Sequence, residues 1–171
     1  MKKYKSTLII NFIFFFIDTF LFASPFFTIL FLLFSTISAA IRFRRYKKQG
    51  FTNFEIISHR LMTLGFTAVT FIIIMLNIYH ANKQAEVLIS IINKYQFKYK
   101  KYPQSLSDMT PEYISKIPNA KYCFCNSKNF RYISIPDSNA PNKTYTELSY
   151  TTIHIARKVY HFEKKEWATI D

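Results

Sequence analysis

The chain has 171 residues, half of them hydrophobic and 19% aromatic, with a formal net charge of +13. Nineteen phenylalanines against two glycines exclude a disordered chain, which could not bury so much apolar surface, and leave almost no room for a glycine-rich phosphate-cradling loop. The positive charge does not imply nucleic-acid binding: nine of the 23 basic residues flank apolar segments, at 2–5 and 42–60, and no DNA- or RNA-reading motif accompanies them.

The first apolar run, 7–41, is too long for one membrane span of about 20 residues. It is interrupted at Ala23-Ser24-Pro25, where a proline suits the first position of a new helix. Two spans are therefore predicted, 7–23 and 25–41. Lys2, Lys3 and Lys5 precede the pair, and Arg42, Arg44, Arg45, Lys47 and Lys48 follow it. Basic flanks stay in the cytoplasm, so the chain must cross twice between them. A cleaved secretory signal is the other reading of this start, with Ala39-Ala40 as its small-residue site. Its apolar core would be only about 7–15 residues, so a membrane anchor is expected.

Asp18 is the one ionisable group inside these spans. Such a group is by default a functional hypothesis. Asp18 lies near the turn, within reach of water or headgroups, and has no second intramembrane charge to pair with or relay to. A structural role is expected, and a transport pathway is not.

From Leu61 the sequence LMTLGFTAVTFIIIMLNIY is again apolar and predicts a third span, 61–79, which exits and leaves the remaining residues outside. The helix is expected to continue to Tyr102, because Ala81, Ala85, Leu88, Ile92, Tyr95 and Tyr99 recur at steps of three and four. Lys83, Glu86, Lys94 and Lys98 face water in that register. Pro103 stops the helix, and Tyr102 before it is pushed out of the α region.

Two one-turn helices are predicted next. Ser105 and Asp108 make a capping box, and Thr110-Pro111-Glu112 is an N-cap followed by proline at the first helical position. Beyond Pro118 the period changes to two, giving strands at 130–135, 145–155 and 158–170, the last a hairpin turning at Glu163-Lys164-Lys165. The sheet must lay its apolar face on the soluble half of the long helix, since an isolated hairpin is marginal in water.

The segment IINKYQFKYKKYPQSLSDMTPEYISKIP and the closing YTELSYTTIHIARKVYHFEKKEWATI resemble the heads of type II secretion pseudopilins and type IV pilins. The likeness covers about residues 81–171. It rests on Tyr95, Tyr102-Pro103, Leu106, Tyr113, Pro118, Tyr160 and Trp167, which the resemblance assigns to a core between helix and sheet. Two departures stand out: Lys101 replaces the family's usual glycine before Tyr-Pro, and the acidic calcium-binding loop of major pseudopilins has no counterpart. KKQG-FTNFE at 47–55 is similar to a prepilin peptidase site, with Gly50 at the cut, Phe51 following and Glu55 five residues in. Ser58, His59 and Arg60 interrupt the apolar run that the family carries there, where charge is costly in a bilayer. A basic cytoplasmic loop is the expected reading, with processing as the alternative.

Little else suggests chemistry. Cys123 and Cys125 are expected either as a strained local disulfide or as partly buried thiols. Structural zinc wants four ligands, and no Cys/His pairing at motif spacing follows them. His154 and His161 fall on predicted strands as core or rim residues. Asn142-Lys143-Thr144 matches a glycosylation acceptor, a sequon short enough to arise by chance.

The predicted architecture is α+β. An N-terminal transmembrane hairpin with a basic cytoplasmic loop occupies 1–60, and a third span continues into a pilin-like extracytoplasmic head over 61–171. The expected function is that of a bacterial inner-membrane protein with a periplasmic head, non-enzymatic and without cofactor or metal. Its partners would be membrane lipids and protein components, which the resemblance makes pilin or secretion-machine subunits, and not nucleic acid. The alternatives are a membrane-bound immunity or interaction protein and a minor pilin processed after Gly50.

Overall fold

A computed structural model describes residues 2–48, 50, 52–124, 128–137, 140–153 and 156–170. The fold is α+β, with three α-helices followed by a four-stranded antiparallel sheet. The chain divides into two compact units, Met1–Met75 and Leu76–Asp171.

In the first unit, α1 (Lys2–Phe16) runs into a π-helical stretch, Ile17–Phe22. Ala23 then takes a left-handed conformation at φ 50° and ψ 40°. The Asp18 carbonyl accepts the N–H groups of Ala23 and, at 3.0 Å, of Ser24, which closes the end of the first helix. Helix α2 (Phe26–Lys48) starts at once, its first bond running from the Ile29 N–H to the Pro25 carbonyl at 3.0 Å. Proline lacks an N–H, and a helix start leaves that donor unused in any case. Phe14 stacks beside Phe27 and Phe31, with centroids at 6.2 and 5.2 Å, so α1 and α2 are antiparallel.

Helix α3 spans Asn53–Tyr99, 47 residues. The Asn11 amide donates to the Thr63 hydroxyl at 3.3 Å, and Phe15 meets Phe66 edge-on at 6.0 Å. These ascending pairs make the start of α3 parallel to α1. Polarity in this unit is inverted relative to a water-soluble core. Asn11, Asp18, Thr28, Thr63 and Thr70 are buried, whereas Phe12, Leu33, Phe34, Ile37, Ile41 and Leu61 are exposed. Thr67 and Thr70 return their hydroxyl protons to the carbonyls of Thr63 and Phe66 at 2.9 Å. Two helical stretches among the described residues, Lys5–Phe22 and Arg60–Tyr99, are long and apolar enough to cross a membrane, and the apolar part of α2, Phe26–Ser38, is shorter.

In the second unit α3 presents the predicted stripe. Ala81, Ala85, Leu88 and Ile92 are wholly buried, and Lys83, Glu86, Lys94 and Lys98 are exposed. Burying Leu88 and Ile92 stabilises the unit by roughly 1.5–3 kcal/mol each. Two corrections apply at the end of the stripe. Tyr99 is 40% exposed, its ring lying on Tyr95 at 4.5 Å. The helix stops at Tyr99 and not at Tyr102, because Lys100 turns left-handed at φ 57°.

The meander β1 (Arg131–Asp137), β2 (Ala140–Thr151), β3 (Arg157–His161) and β4 (Glu166–Ile170) is ordered β1-β2-β3-β4. Leu148 pairs with Tyr160, and Tyr160 with Trp167, so alternate positions carry one apolar face onto α3. Leu148, Tyr150, Phe130 and Phe162 share a core cluster with the helical stripe.

The first of the two predicted short helices is present as a 3-10 turn, Leu106–Met109, with both capping-box bonds to Ser105. The second is not: residues 111–113 form a turn, and the Tyr113 N–H bonds back to the Met109 carbonyl at 2.9 Å. The N–H groups of Gln104 and Ser105 donate to the Asp108 carboxylate at 2.8 and 3.0 Å. Donation by Ser105, from both backbone and hydroxyl, holds that carboxyl below its usual range. A depressed carboxyl contributes stability above its ordinary pKa of about 3.9 and loses it as pH falls through the depressed value. Asp108→Asn should therefore cost about 1 kcal/mol near neutral pH, with the difference from wild type shrinking below about pH 4. Thermal unfolding followed by the fluorescence of Trp167, the single tryptophan, measures it.

Candidate functional site

Two places in the second unit, and one in the first, bring polar side chains together. The most connected is Asn82. Its Nδ2 donates to the Ile78 carbonyl at 3.0 Å, which leaves Oδ1 facing the sheet. There it accepts the Tyr150 hydroxyl at 2.5 Å and the Lys158 ammonium at 2.9 Å. Burial pushes the Tyr150 phenol up to about 12, so it remains a donor at neutral pH. Lys158 also lies over the Trp167 ring, 4.9 Å from its centroid. One amide thus ties α3 to β2 and β3 and orients a cation on β4's indole.

The second place is an open recess of about 250 Å³ lined by His80, Gln84, Lys116, Ile117, Pro118, Asn119 and Tyr122. Asn77, on the same helix, accepts the Tyr122 N–H at 3.0 Å, and the Tyr122 ring lies 4.7 Å from His80. The neighbouring Lys121 is buried and donates to the Thr152 carbonyl. The described lining contains a histidine and a lysine but no carboxylate, so it offers contacts and donors without an acid–base pair. Tyr122 is 64% exposed, and Phe124, two residues further on, is 76% exposed.

In the first unit the Asp18 carboxylate accepts the N–H groups of Phe27 at 3.0 Å and Thr28 at 2.6 Å. It is fully buried, where access to water or headgroups was expected. Its role is to cap the first turn of α2, whose N–H groups have no intrahelical acceptor.

Most of the other residues singled out from the sequence are structural. Tyr95, Tyr102, Tyr113, Tyr160 and Trp167 pack against the core cluster that includes Leu106. Pro103 is buried, and its carbonyl accepts the Tyr132 hydroxyl at 2.8 Å. Pro118 is part of the recess. Gly50 is exposed at φ 77°, between the end of α2 and the start of α3. Phe51 lies outside the described residues, and Glu55 falls in the first turn of α3. Cys123 is buried, and Cys125 and His154 lie outside the described residues. His161 sits at the sheet rim, its Nδ1 3.2 Å from the Tyr145 hydroxyl. Asn82, Asn77 and Lys121 were not anticipated. An asparagine directly after Ala81 of the apolar stripe was the available signal for Asn82.

Comparison with protein-family models, with curated proteins and with solved structures finds no match.

Replacing Asn82 by alanine leaves the Tyr150 hydroxyl and the Lys158 ammonium without this acceptor and should cost about 1–3 kcal/mol. Asn82→Asp keeps an acceptor and adds an opposite charge, so it should be the milder variant. Denaturation of the full chain in detergent, followed by Trp167 fluorescence, ranks the two. A neutral alanine variant would remove Asn82 from any role in joining helix to sheet.

Proposed function

We propose that this chain is a bacterial inner-membrane protein with three spans and a pilin-like periplasmic head, acting without catalysis through protein–protein contacts in an envelope assembly or secretion-type system. The observation that carries the membrane reading is the inverted polarity of the first unit. A water-soluble unit buries its phenylalanines and solvates its asparagine and threonines, whereas here Phe34 is 68% exposed and Asn11 1%. That distribution suits a lipid solvent, in which polar side chains must find partners among neighbouring helices. The up-down-up course of α1, α2 and the start of α3 supports three spans with the basic flanks on one side. The head reading is supported by a long helix laid with one stripe on an antiparallel meander, together with the sequence likeness over 81–171. Contact-based function is favoured by exposed aromatic side chains such as Tyr122 and Phe124.

The topology is tested by fusions. Alkaline phosphatase joined after residue 100 should be active, and joined near residue 48 inactive. The reverse pattern would overturn both the span count and the side on which the head lies.

A processed pilin is the second reading, favoured by the exposed Gly50 between two helices. With a tag at each end, a single band near 20.3 kDa carrying both tags identifies a permanent anchor. A C-tagged product of roughly 14 kDa identifies cleavage after Gly50.

A further inference from the structure

The directions of the three helices collect charge at one end of the first unit. The N-terminus of α1 carries Lys2, Lys3 and Lys5; the C-terminal turns of α2 carry Arg42, Arg44, Arg45, Lys47 and Lys48; the first turns of α3 carry Arg60. Because α1 and α3 start where α2 ends, these nine cations share one end with a single acid, Glu55. Away from that end the helices are nearly free of charge. From Ser6 to Ile41 the only ionisable side chain is the buried Asp18, and from Leu61 to Asn82 there is no Asp, Glu, Lys or Arg.

Length adds a second constraint. At 1.5 Å per residue, the uncharged part of α2, 26–41, extends about 24 Å, and the first arm, residues 6–22 of α1 and its π-helical continuation with Asp18 as its one charge, is no longer than about 25 Å. The uncharged part of α3, 61–82, extends about 33 Å. A bilayer's hydrocarbon core is about 30 Å thick. The hairpin arms therefore fall short by about a helical turn, and such mismatch is met by local thinning and by basic side chains reaching along the interface. With the uncharged turn at the far side, the basic end is drawn to the level of the lipid phosphates and not left in bulk water.

We propose that this basic end is a binding face for anionic phospholipid headgroups, held at the phosphate plane by the short hairpin arms. It rests on the membrane reading above. Each cation near an anionic surface adds favourable energy, and clustered cations next to a span add together.

The test uses the full-length chain, and its first step separates the two ideas. Carbonate extraction of membranes should leave the protein in the pellet; release would defeat the membrane reading and this proposal with it. Lipid-depleted protein in detergent is then offered phosphatidylglycerol or phosphatidylcholine in mixed micelles, and retained lipid is counted by native mass spectrometry. Phosphatidylglycerol should be retained preferentially, and the preference should weaken as salt rises. Lys47→Gln with Lys48→Gln, both exposed in the wild type, should reduce it at least about fivefold, while Lys116→Gln with Lys128→Gln in the second unit should not. If the first double variant fails to insert, the salt dependence of the wild type decides alone. Equal retention of the two lipids in protein that resists carbonate would overturn the proposal while sparing the membrane reading. Displacement of the lipid by inorganic phosphate would reassign the face to a free anion, and preferential capture of an RNA homopolymer would reassign it to nucleic acid; either result overturns it.

Discussion

The second unit depends on one contact: the stripe Ala81, Ala85, Leu88 and Ile92 of α3 against the apolar face of the meander. All four side chains are completely buried, in one cluster with Leu148, Tyr150 and Phe162 of the sheet side. Two alanines and two branched aliphatics make a narrow, flat strip. The alanines keep the helix close enough to the sheet for Asn82 to reach Tyr150 and Lys158. The aliphatics fill the space beneath Leu148 and Phe162. Polar specificity is thus superimposed on an apolar strip that would, alone, permit the helix to slide along the sheet.

The first unit solves the opposite problem. Its exterior is apolar, and several of its polar side chains are buried. Asp18 is bonded on both sides of the turn. Its carbonyl ends the first helix and its carboxylate begins the second. A single residue therefore serves donors on both sides of a turn with almost no intervening chain. On the proposed membrane reading, this removes the usual cost of bringing a carboxylate into a span, because the charge meets the amide ends of a helix and not lipid.

Much of this was legible in the sequence. The stripe at steps of three and four located the buried face of α3, and period-two alternation found the strands. Ser105 with Asp108 marked the 3-10 turn because a capping box is a local interaction that needs no distant partner. What failed was equally physical. Thr110-Pro111-Glu112 reads as a helix start, yet the chain turns back towards Met109 and no helix follows. Pro103 suggested where α3 should stop, but Lys100 ends it three residues earlier by adopting a left-handed conformation that sequence alone seldom marks in lysine. The burial of Asp18 was invisible because its carboxylate's partners are backbone amides nine and ten positions away, which carry no side-chain signature. Asn82 escaped for the same kind of reason: its two partners lie on strands far along the chain.

That distance has a temporal consequence. Tyr150 follows Asn82 by 68 residues, and at synthesis rates of about 5–20 residues per second the helical stripe waits roughly 3 to 14 seconds for β2 to be made. During that interval an apolar strip is displayed with nothing to cover it. Its composition moderates the risk: two of its four positions are alanine, which expose little hydrocarbon, while lysines and a glutamate border it. The residues that let the finished sheet sit close to the helix also make the unfinished chain a poor substrate for aggregation.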